Sequence, residues 1–397
     1  MKICIVSRGD LNLFPPTQGG SVKLYYTIKS LSLLGSDVFF VTAEDKYYYK
    51  VVNGIFKKKR YPSFLRNSPI TKGIKCYLSF LGITPDIFVL YHPLINFKLW
   101  FKVLYVALKE RVDIIQAEFT CFGIPALFIK FLTSVPVCLV EHNVETFQIP
   151  EVTKINKKGR KVIETIEKFA CKFCDRVITV SEEDEKRLKS LGINSKKILV
   201  IPHGVDLNLF KKADGTSVRR KYKLRFPTLI FHGVYAYKPN YDAVKIIIEK
   251  ILPGLKKKGI KAKVLAVGAF PPKDITHPDL IFTDKVRNLP DYIDAADIAI
   301  VPIKTGGGMR MKILEYFAAK KPVISTKKGA EGISVKNEKE IILADAEEFP
   351  EQIVRLIKSK RLRDKIAENA FKFVKNYDWK SICKKYIDLY NCFLFHK

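Results

Sequence analysis

Residues 306–315 read Gly-Gly-Gly-Met-Arg-Met-Lys-Ile-Leu-Glu and follow the apolar run Ile298 to Pro302. A short apolar run of this kind is typical of a buried parallel strand, and the apolar spacing after the glycines predicts a helix. A strand, a glycine turn and a helix together direct backbone N–H groups toward an anion. Arg310 and Lys312 fall in the first turn of that helix, where cations oppose the helix dipole, so we expect them to face a negatively charged ligand. The alternative is a solvated, basic helix start.

Further along the chain the glycine stretch is followed by Lys-Pro-Val-Ile-Ser-Thr at 321–326 and Gly-Ala-Glu-Gly at 329–332. Together these segments resemble the donor-site signature of glycosyltransferase family four, whose members are retaining enzymes of the GT-B fold that use nucleotide sugars. The resemblance implies that Glu315 holds the ribose and that the backbone at Gly307, Gly308 and Met309 meets the donor. It also implies that the base lies against the backbone at Val286. Many relatives carry a second glutamate where Gly307 stands here, so only Glu315 is carried over.

A second strand-to-helix loop supports the same interpretation. The apolar strand that opens the second half ends at Gly233, which we expect to contact the donor, and the following loop carries Lys238, which resembles the phosphate-binding lysine of the family. Relatives often have an arginine directly after this glycine, and here Val234 occupies that position. We therefore expect Lys238, Arg310 and Lys312 to meet the diphosphate charge together.

The first half opens as a strand–helix–strand unit, with apolar strands at residues 3–7 and 38–42. Gly19 and Gly20 precede the helix and would let a donor phosphate approach the backbone closely. An ordinary turn fits a pair of glycines as well. In the family a Gly-Gly at this place lines the cleft opposite the second domain, which favours the donor-binding interpretation.

Two later strands of the first half end in polar residues, at the edge where α/β sheets bind ligands. The first of these strands ends at Glu118, and the second is followed by His142-Asn143-Val144-Glu145. Many relatives carry a donor-contacting histidine near the end of the first of these strands, a region that Gln116 and Glu118 occupy here, and we expect Glu118 to line the cleft. His-Asn-Val-Glu recurs in the family and implies that His142 binds the donor. A surface histidine beside a turn asparagine is the alternative.

The charge of the chain favours anionic partners, because 70 Lys and Arg face 40 Asp and Glu, a net charge of +30. Nucleotide diphosphates, anionic lipid surfaces and nucleic acids all fit such an excess. Residues 45–110 interleave basic and aromatic side chains, including the run Lys57 to Arg60. This pattern suits an anionic membrane or a single nucleic-acid strand, and equally a core helix with a solvated lysine face. The family usually binds its acceptor in this half, so we expect the segment to help select the acceptor.

Cysteine usage and hydropathy predict a cytoplasmic protein, with peripheral contact at the cytoplasmic membrane face left open. Most of the eight cysteines lie inside apolar runs, and Met1-Lys2 leads directly into a strand without a signal-peptide pattern. The longest apolar stretch, residues 124–140, is interrupted by Lys130 and Pro136. The one CxxC, at residues 171–174, has no second pair at metal-ligand spacing, and Asp-x-Asp does not occur. We therefore expect no metal and no cofactor, with the nucleotide sugar as substrate.

These features predict an α/β protein of the GT-B fold, with two Rossmann-like domains facing each other across a cleft. The predicted parts are an N-terminal domain on the acceptor side (1–205), a linker (206–227), a nucleotide-sugar domain (228–378) and a C-terminal helix that crosses back (379–397).

The predicted function is transfer of a hexose from a nucleotide sugar to a glycan, lipid or other acceptor, with retention. An inverting enzyme needs a general base, and the Gly19–Gly20 loop offers no histidine for that role. A cationic donor loop would instead stabilise the leaving group. The predicted catalytic residues are Lys238, Arg310, Lys312 and Glu118. The alternatives are a basic nucleic-acid-binding protein, which needs no glycine–glutamate constellation, and a nucleotide-sugar epimerase of the same fold. For the favoured hypothesis no nucleic-acid partner is expected.

Overall fold

The computed structural model describes residues 1–8, 16, 19–42, 46–66, 94, 96–153 and 155–394. Contacts within the chain divide it into two units. Unit 1 comprises Met1–Pro202 and Trp379–Lys397, and unit 2 comprises His203–Asp378. The chain therefore leaves unit 1 once and returns to it with its last helix. Residues 206–227, predicted as a linker, fall within unit 2.

The described part of unit 1 is built on one eight-stranded sheet with the strand order β4-β3-β2-β1-β5-β6-β7-β8. The strands are β1 (Lys2–Ser7), β2 (Asp37–Thr42), β3 (Tyr47–Val52), β4 (Ile55–Arg60), β5 (Ile114–Glu118), β6 (Val137–Glu141), β7 (Arg176–Thr179) and β8 (Ile198–Val200). The β2–β3 and β3–β4 pairs are antiparallel, and the remaining pairs are parallel. The central parallel strands are buried on both faces, as expected where helices cover both sides of a sheet.

Helices cover both faces of this sheet. They are α1 (Gly19–Leu33), α2 (Ser63–Arg66), α3 (Phe97–Glu110), α4 (Thr120–Thr133), α5 (Glu145–Val152), α6 (Lys157–Phe173), α7 (Glu182–Ser190) and the C-terminal helix, which is numbered with unit 2 below. The crossovers β1-to-β2 and β5-to-β6 run toward opposite edges of the sheet. Because such crossovers are right-handed, α1 and α4 lie on opposite faces. The main core cluster lies under α3, α4 and α6 and includes Leu99, Phe122 and Ile163.

The described part of unit 2 contains a six-stranded, all-parallel sheet with the order β11-β10-β9-β12-β13-β14. Its strands are β9 (Thr228–His232), β10 (Lys263–Val267), β11 (Leu280–Phe282), β12 (Ile298–Val301), β13 (Val323–Ser325) and β14 (Ile342–Leu343). Its helices are α8 (Leu207–Lys211), α9 (Thr216–Lys221), α10 (Lys238–Ile246), α11 (Leu252–Lys257), α12 (Leu289–Asp294), α13 (Met311–Ala318), α14 (Phe349–Lys358) and α15 (Lys360–Val374); α16 (Trp379–Leu394) then returns to unit 1. The predicted strand, glycine turn and helix around residue 306 are confirmed as β12, a loop and α13.

The first part of the basic and aromatic segment, residues 45–110, forms two β-strands that its composition did not predict. Residues 47–60 form the antiparallel hairpin β3–β4, which extends the sheet and places Lys57 to Arg60 on its exposed edge strand. Residues 97–105, whose sequence has the pattern of an amphipathic helix, lie in α3, which buries Leu99 and Val103 in the core. The middle of the segment, residues 67–93, lies outside the described residues. Among the helices that the structure describes, none is long and apolar enough to cross a lipid bilayer.

Candidate functional site

The carboxyl ends of the parallel strands of unit 2 meet at one edge of the sheet, and their loops pack backbone to backbone. Gly268, directly after β10, has a φ of +142°, and a Cβ on it would lie 1.9 Å from the carbonyl oxygen of Gly233. The N–H of Gly268 donates to the carbonyl of Asp284, 3.2 Å away, in the loop after β11. That loop also carries the partly exposed Val286. Gly233 and Val286, both predicted donor contacts, are therefore brought to the same edge.

The glycine stretch follows β12 at this same edge. Gly306 and Gly308 have φ values of +99° and +68°, a backbone region that favours glycine. A Cβ on Gly306 would lie 2.9 Å from the hydroxyl of Tyr237, so the loop after β9 touches the glycine loop. Gly307 is half-buried and Met309 is buried. The glycines thus permit a close approach of two loops around a partly open backbone.

Arg310 braces this loop from within. It occupies the N-cap of α13, and its Nη1 donates to the carbonyl oxygens of Gly307 and Gly308. Its Nη2 donates to the carbonyl of Thr305, 3.3 Å away. The side chain of Arg310 makes no capping hydrogen bond to the N–H groups of α13. The first turn of this helix, which begins at Met311, therefore presents N–H groups beside a cation, as the sequence predicted.

Lys312 lies next to that helix start and is held by a residue outside the glycine stretch. Its Nζ donates to Asn240 Oδ1 at 2.9 Å and lies 4.0 Å from the centre of the Phe231 ring. Asn240 Nδ2 in turn donates to the carbonyl of Val234 at 2.9 Å. Burial, with the charge of Arg310 as a second cause, lowers the pKa of Lys312 to about 7. An anion bound at this place would favour the charged ammonium.

Glu315 is fixed by a short hydrogen-bonded chain. Its Oε2 lies 2.7 Å from His232 Nε2, and Nδ1 of His232 lies 2.9 Å from the hydroxyl of Tyr316. That hydroxyl accepts from the backbone N–H of His232 and so has its own proton to donate to Nδ1. The ring proton then resides on Nε2 and is donated to the carboxylate. Among the described residues, Glu315 Oε1 has no protein partner, so this oxygen is available to a ligand hydroxyl.

Lys238 is placed differently from the other predicted cations. It is the first residue of α10, its side chain is 60% exposed, and its Nζ pairs with Asp242 Oδ2 at 2.5 Å. Among the described contacts, Arg310 and Lys312 lie at the glycine loop, whereas Lys238 faces Asp242 across one helical turn. The structure thus gathers two of the three predicted phosphate cations.

In unit 1 the predicted residue Glu118 is the centre of a buried polar group, here called the Glu118 cluster, made of Lys23, Gln116, Glu118 and His142. Lys23 Nζ and His142 Nε2 lie 2.5 and 2.6 Å from Glu118 Oε2, and Gln116 donates to Oε1. All four side chains are buried. Burial alone would raise the pKa of Glu118, but the charge of Lys23 and the bond to His142 outweigh it and lower the pKa to about 2.

The Glu118 cluster also contacts α16 and Phe119, the residue that follows β5. Gln116 accepts a hydrogen bond from Tyr390 of α16, and the ring of His142 stacks on Phe119 with centres 4.0 Å apart. α1 begins at Gly19, although the sequence predicts that Gly19 and Gly20 precede the helix, and it carries Lys23 inward one turn later. The two glycines therefore form the first turn of the helix and do not precede it.

A second buried acid follows on the next strand. Glu141, the last residue of β6, accepts from the Thr120 hydroxyl, which lies 2.9 Å from each carboxyl oxygen. Burial, together with the nearby carboxyls of Glu167 and Glu145, raises the pKa of Glu141 well above its usual range. The strand end next to His142 therefore carries a carboxyl group whose protonated form is favoured by burial.

Several residues of these sites gave no usable signal in the sequence. His232 ends an apolar strand directly before Gly233, a position that could have been noticed, since strand ends carry ligand contacts. Lys23 and Asn240 are fixed by partners 95 and 72 positions away, which no local pattern reveals. In the part of the chain that the structure describes, no group of three or more His, Cys, Asp or Glu side chains is arranged to hold a metal ion. The absence of a metal requirement remains a prediction.

Comparison with known proteins identifies the family. The model "Glycosyltransferase Family 4" matches residues 19–209, and "Glycosyl transferases group 1" matches residues 226–359. A curated relative from Escherichia coli, UDP-Gal:alpha-D-GlcNAc-diphosphoundecaprenol alpha-1,3-galactosyltransferase, is 30% identical over 305 residues, which are 71% of this chain and 76% of that protein.

Solved structures with the same fold include sucrose-phosphate synthase from Thermosynechococcus elongatus, with a TM-score of 0.72, 15% identity and full coverage of both chains. Another is HepE of Anabaena in complex with UDP-glucose, with a TM-score of 0.68, 16% identity, and coverage of 99% of this chain and 100% of that chain. The chain belongs to glycosyltransferase family 4, group 1, has the GT-B fold, and is a glycosyltransferase with a nucleotide-sugar donor.

Proposed function

We propose that this glycosyltransferase moves a hexose from a UDP-sugar to a lipid-linked glycan acceptor, with retention of the anomeric configuration. The uridine nucleotide, the hexose and the lipid carrier are supported by the names of its relatives, which include a galactosyltransferase acting on a diphosphoundecaprenol-linked sugar and structures bound to UDP and UDP-glucose. Work on such an acceptor would place the enzyme at the cytoplasmic face of the membrane, as a peripheral protein.

The observation that carries the donor assignment is the Glu315–His232–Tyr316 chain. A carboxylate whose one oxygen is fixed by a buried imidazole presents the other in a defined direction. Ribose offers two adjacent hydroxyl donors, and a hydrogen bond to an ionised acceptor is among the stronger kinds. Glu315 Oε1 is the acceptor for the ribose.

The diphosphate binds at the start of α13. The N–H groups of the first turn, to which the N-cap residue Arg310 makes no side-chain hydrogen bond, and the partial positive charge of the helix end attract phosphate oxygens. Lys312 adds a cation, because a bound phosphate favours the protonated form of its amine. Arg310 binds the loop carbonyls and so holds them away from the anion. This arrangement would neutralise the diphosphate as it leaves, without a resident metal ion. Lys238, at the edge of the site, contributes at longer range.

In unit 1 the Glu118 cluster orients His142, the residue for which the sequence predicts a donor contact. Glu118 is ionised but already accepts from Lys23, Gln116 and His142, so it is a poor general base. Its role is to fix the imidazole at the carboxyl edge of β6. Stabilisation of the leaving group, which the cation and the N–H groups at the start of α13 would supply, is what a retaining reaction needs most.

The donor assignment is tested with Glu315→Gln and Glu315→Ala. We expect each to weaken UDP binding by about 1.5–3 kcal/mol, because a charged acceptor of the ribose hydroxyls is lost. Isothermal titration calorimetry measures the affinity, and Glu351→Gln, an exposed acid on α14, is the matched control. Equal UDP affinity in the parent and both Glu315 variants would remove Glu315 from the site.

The reaction itself is tested by incubating a panel of UDP-hexoses with a diphosphoundecaprenol-linked sugar in detergent. NMR of the product gives its anomeric configuration, and addition of EDTA reports on the metal. We expect turnover with retention that EDTA leaves unchanged. An inverted product would contradict the proposed mechanism, and loss of turnover with EDTA would contradict the metal-free donor site.

A further inference from the structure

Three neighbouring helices of unit 1 form one layer over the sheet. The inner faces of α3, α4 and α6 fill the core through side chains such as Val103, Ala126 and Ile163, all 1% exposed or less. α4 and α6 approach so closely that a Cβ on Gly123 would lie 3.1 Å from that of Ala170. The layer is therefore firmly attached, and its outer side is a fixed surface.

The outer side of this layer is apolar where solvated helices are usually polar. Here the outer aromatic face is defined as Phe97 and Phe101 on α3, Phe131 on α4, and Phe169 and Phe173 on α6. These rings are between 48% and 86% exposed. Large apolar side chains so exposed and gathered on neighbouring elements mark a surface that another molecule covers.

Ring contacts connect the face across the helices. Phe97 and Trp100 have ring centres 5.2 Å apart, and Trp100 lies 5.2 Å from Phe128 of α4, so α3 and α4 share a continuous apolar surface. On α6, Phe169 and Phe173 lie one turn apart with centres 4.6 Å from each other. The face is therefore continuous from α3 to α4 and is extended by the aromatic pair on α6.

Charge decides which partner fits. α6 carries a row of exposed basic side chains: Lys157, Lys158, Arg160, Lys161 and Lys172. Its acid Glu164 is already paired with Lys168 at 2.5 Å. A second copy of the chain would bring these cations against their own equivalents, which is unfavourable in a protein of net charge +30. An anionic lipid surface accepts both the rings and the cations.

We propose that the outer aromatic face is a lipid-docking surface, in which the rings enter the headgroup region of an anionic membrane and the cations of α6 lie at its border. The proposal rests on the proposed function, because a lipid-linked acceptor must be met at a membrane. It locates the contact on α3, α4 and α6, away from the Lys57 to Arg60 edge strand that composition alone had suggested.

The test compares full-length variants in flotation with phosphatidylcholine vesicles that contain or lack phosphatidylglycerol, at low and high salt. The first variant combines Phe101→Ser, Phe131→Ser and Phe169→Ser. The second carries glutamine at residues 57–60, and the control is Phe270→Ser, whose ring in unit 2 is 64% exposed. We expect the triple variant to lose at least about tenfold in affinity for anionic vesicles, since each buried ring contributes strongly to insertion.

The edge-strand variant and Phe270→Ser should keep the affinity of the parent to within a few-fold, and the melting temperature should be unchanged in all three. The proposal is overturned if the parent protein does not bind anionic vesicles. It is also overturned if only the edge-strand variant loses vesicle binding. A lower melting temperature in the triple variant with unchanged flotation would show that the chain itself covers the face, which also overturns it. Turnover of the acceptor in detergent separates this failure from failure of the enzymatic assignment, since docking is not needed there.

Discussion

At the scale of single residues, the most consequential contact joins Lys23 and Glu118, because both side chains are removed from water. Such an ion pair need not be strongly stabilising, but removing one partner leaves the other charge uncompensated. We predict that Lys23→Met lowers the free energy of unfolding by about 3–5 kcal/mol. The double variant Lys23→Met with Glu118→Gln should recover part of that loss, because it removes the stranded charge.

Urea unfolding of the four proteins of this cycle measures the coupling. Lys29→Met, a half-buried lysine on the same helix, controls for the loss of a cation from α1. If the double variant is less stable than Lys23→Met by the full cost of Glu118→Gln alone, the two residues are not coupled and the cluster has no shared role.

The lowered pKa of Lys312 leads to a prediction about proton uptake on UDP binding. Its pKa of about 7 in the free protein means that its amine is largely neutral at pH 8. A bound diphosphate favours the charged form, so UDP binding at about pH 8 should take up close to one proton. Calorimetry in buffers of different ionisation enthalpy counts this proton. Lys312→Met should abolish the uptake, and Lys245→Met, an exposed lysine of α10, should preserve it. Equal proton uptake in the parent and in Lys312→Met would assign the titration to another group.

At the scale of secondary-structure elements, Glu141 at the end of β6 makes the free energy of unfolding depend on pH. The pKa of Glu141 is raised in the folded protein, so the folded state retains a proton that the unfolded chain releases above about pH 4.5. Stability from this group is present below that pH and is lost as the pH rises toward the folded pKa. Glu141→Gln removes the titration, and we predict that the pH slope of the unfolding free energy becomes less negative by up to about 1.4 kcal/mol per pH unit between pH 5 and 7.

Denaturant unfolding of the parent and Glu141→Gln at both pH values gives the two slopes. Glu185→Gln, on α7, is the control, because that acid pairs with Lys189 at the protein surface. Parallel slopes in parent and Glu141→Gln would mean that the buried carboxyl is ionised in the folded state.

The elements also show what local patterns can and cannot predict. β1, β12 and α13 follow from short apolar runs, glycines and helical spacing, all of which are local properties of the chain. The hairpin β3–β4 escaped prediction because Tyr and Lys dominate it, and their alternation resembles a basic surface as much as a strand. In the site, the glycines were predictable from the strand–turn–helix pattern, and Glu315 from the resemblance to the family. His232 as the partner of Glu315 was not, since 83 positions separate them and only the parallel sheet brings them together.

At the scale of the whole molecule, unit 1 is discontinuous in sequence, since it consists of the first 202 residues and the last helix. α16 is an integral part of its packing. Trp379 stacks on Tyr26 with ring centres 6.0 Å apart, and Tyr386 and Tyr390 are buried. Tyr390 also bonds Gln116 of the Glu118 cluster. The last helix thus completes both the core and the polar cluster of a unit whose remaining residues precede it by more than a hundred positions.

Unit 2, in contrast, is continuous from His203 to Asp378 and contains the whole proposed UDP site. We therefore predict that a chain ended at Asp378 loses the thermal transition of unit 1 but keeps that of unit 2. UDP should still raise the melting temperature of the remaining transition, because a ligand that binds only the folded state stabilises it. Differential scanning calorimetry with and without UDP measures both effects.

As a control, Lys385→Ala, at an exposed position on α16, should keep both transitions. Two intact transitions in the truncated chain would mean that α16 is dispensable to unit 1, and a remaining transition that UDP no longer shifts would mean that the nucleotide site is incomplete within unit 2.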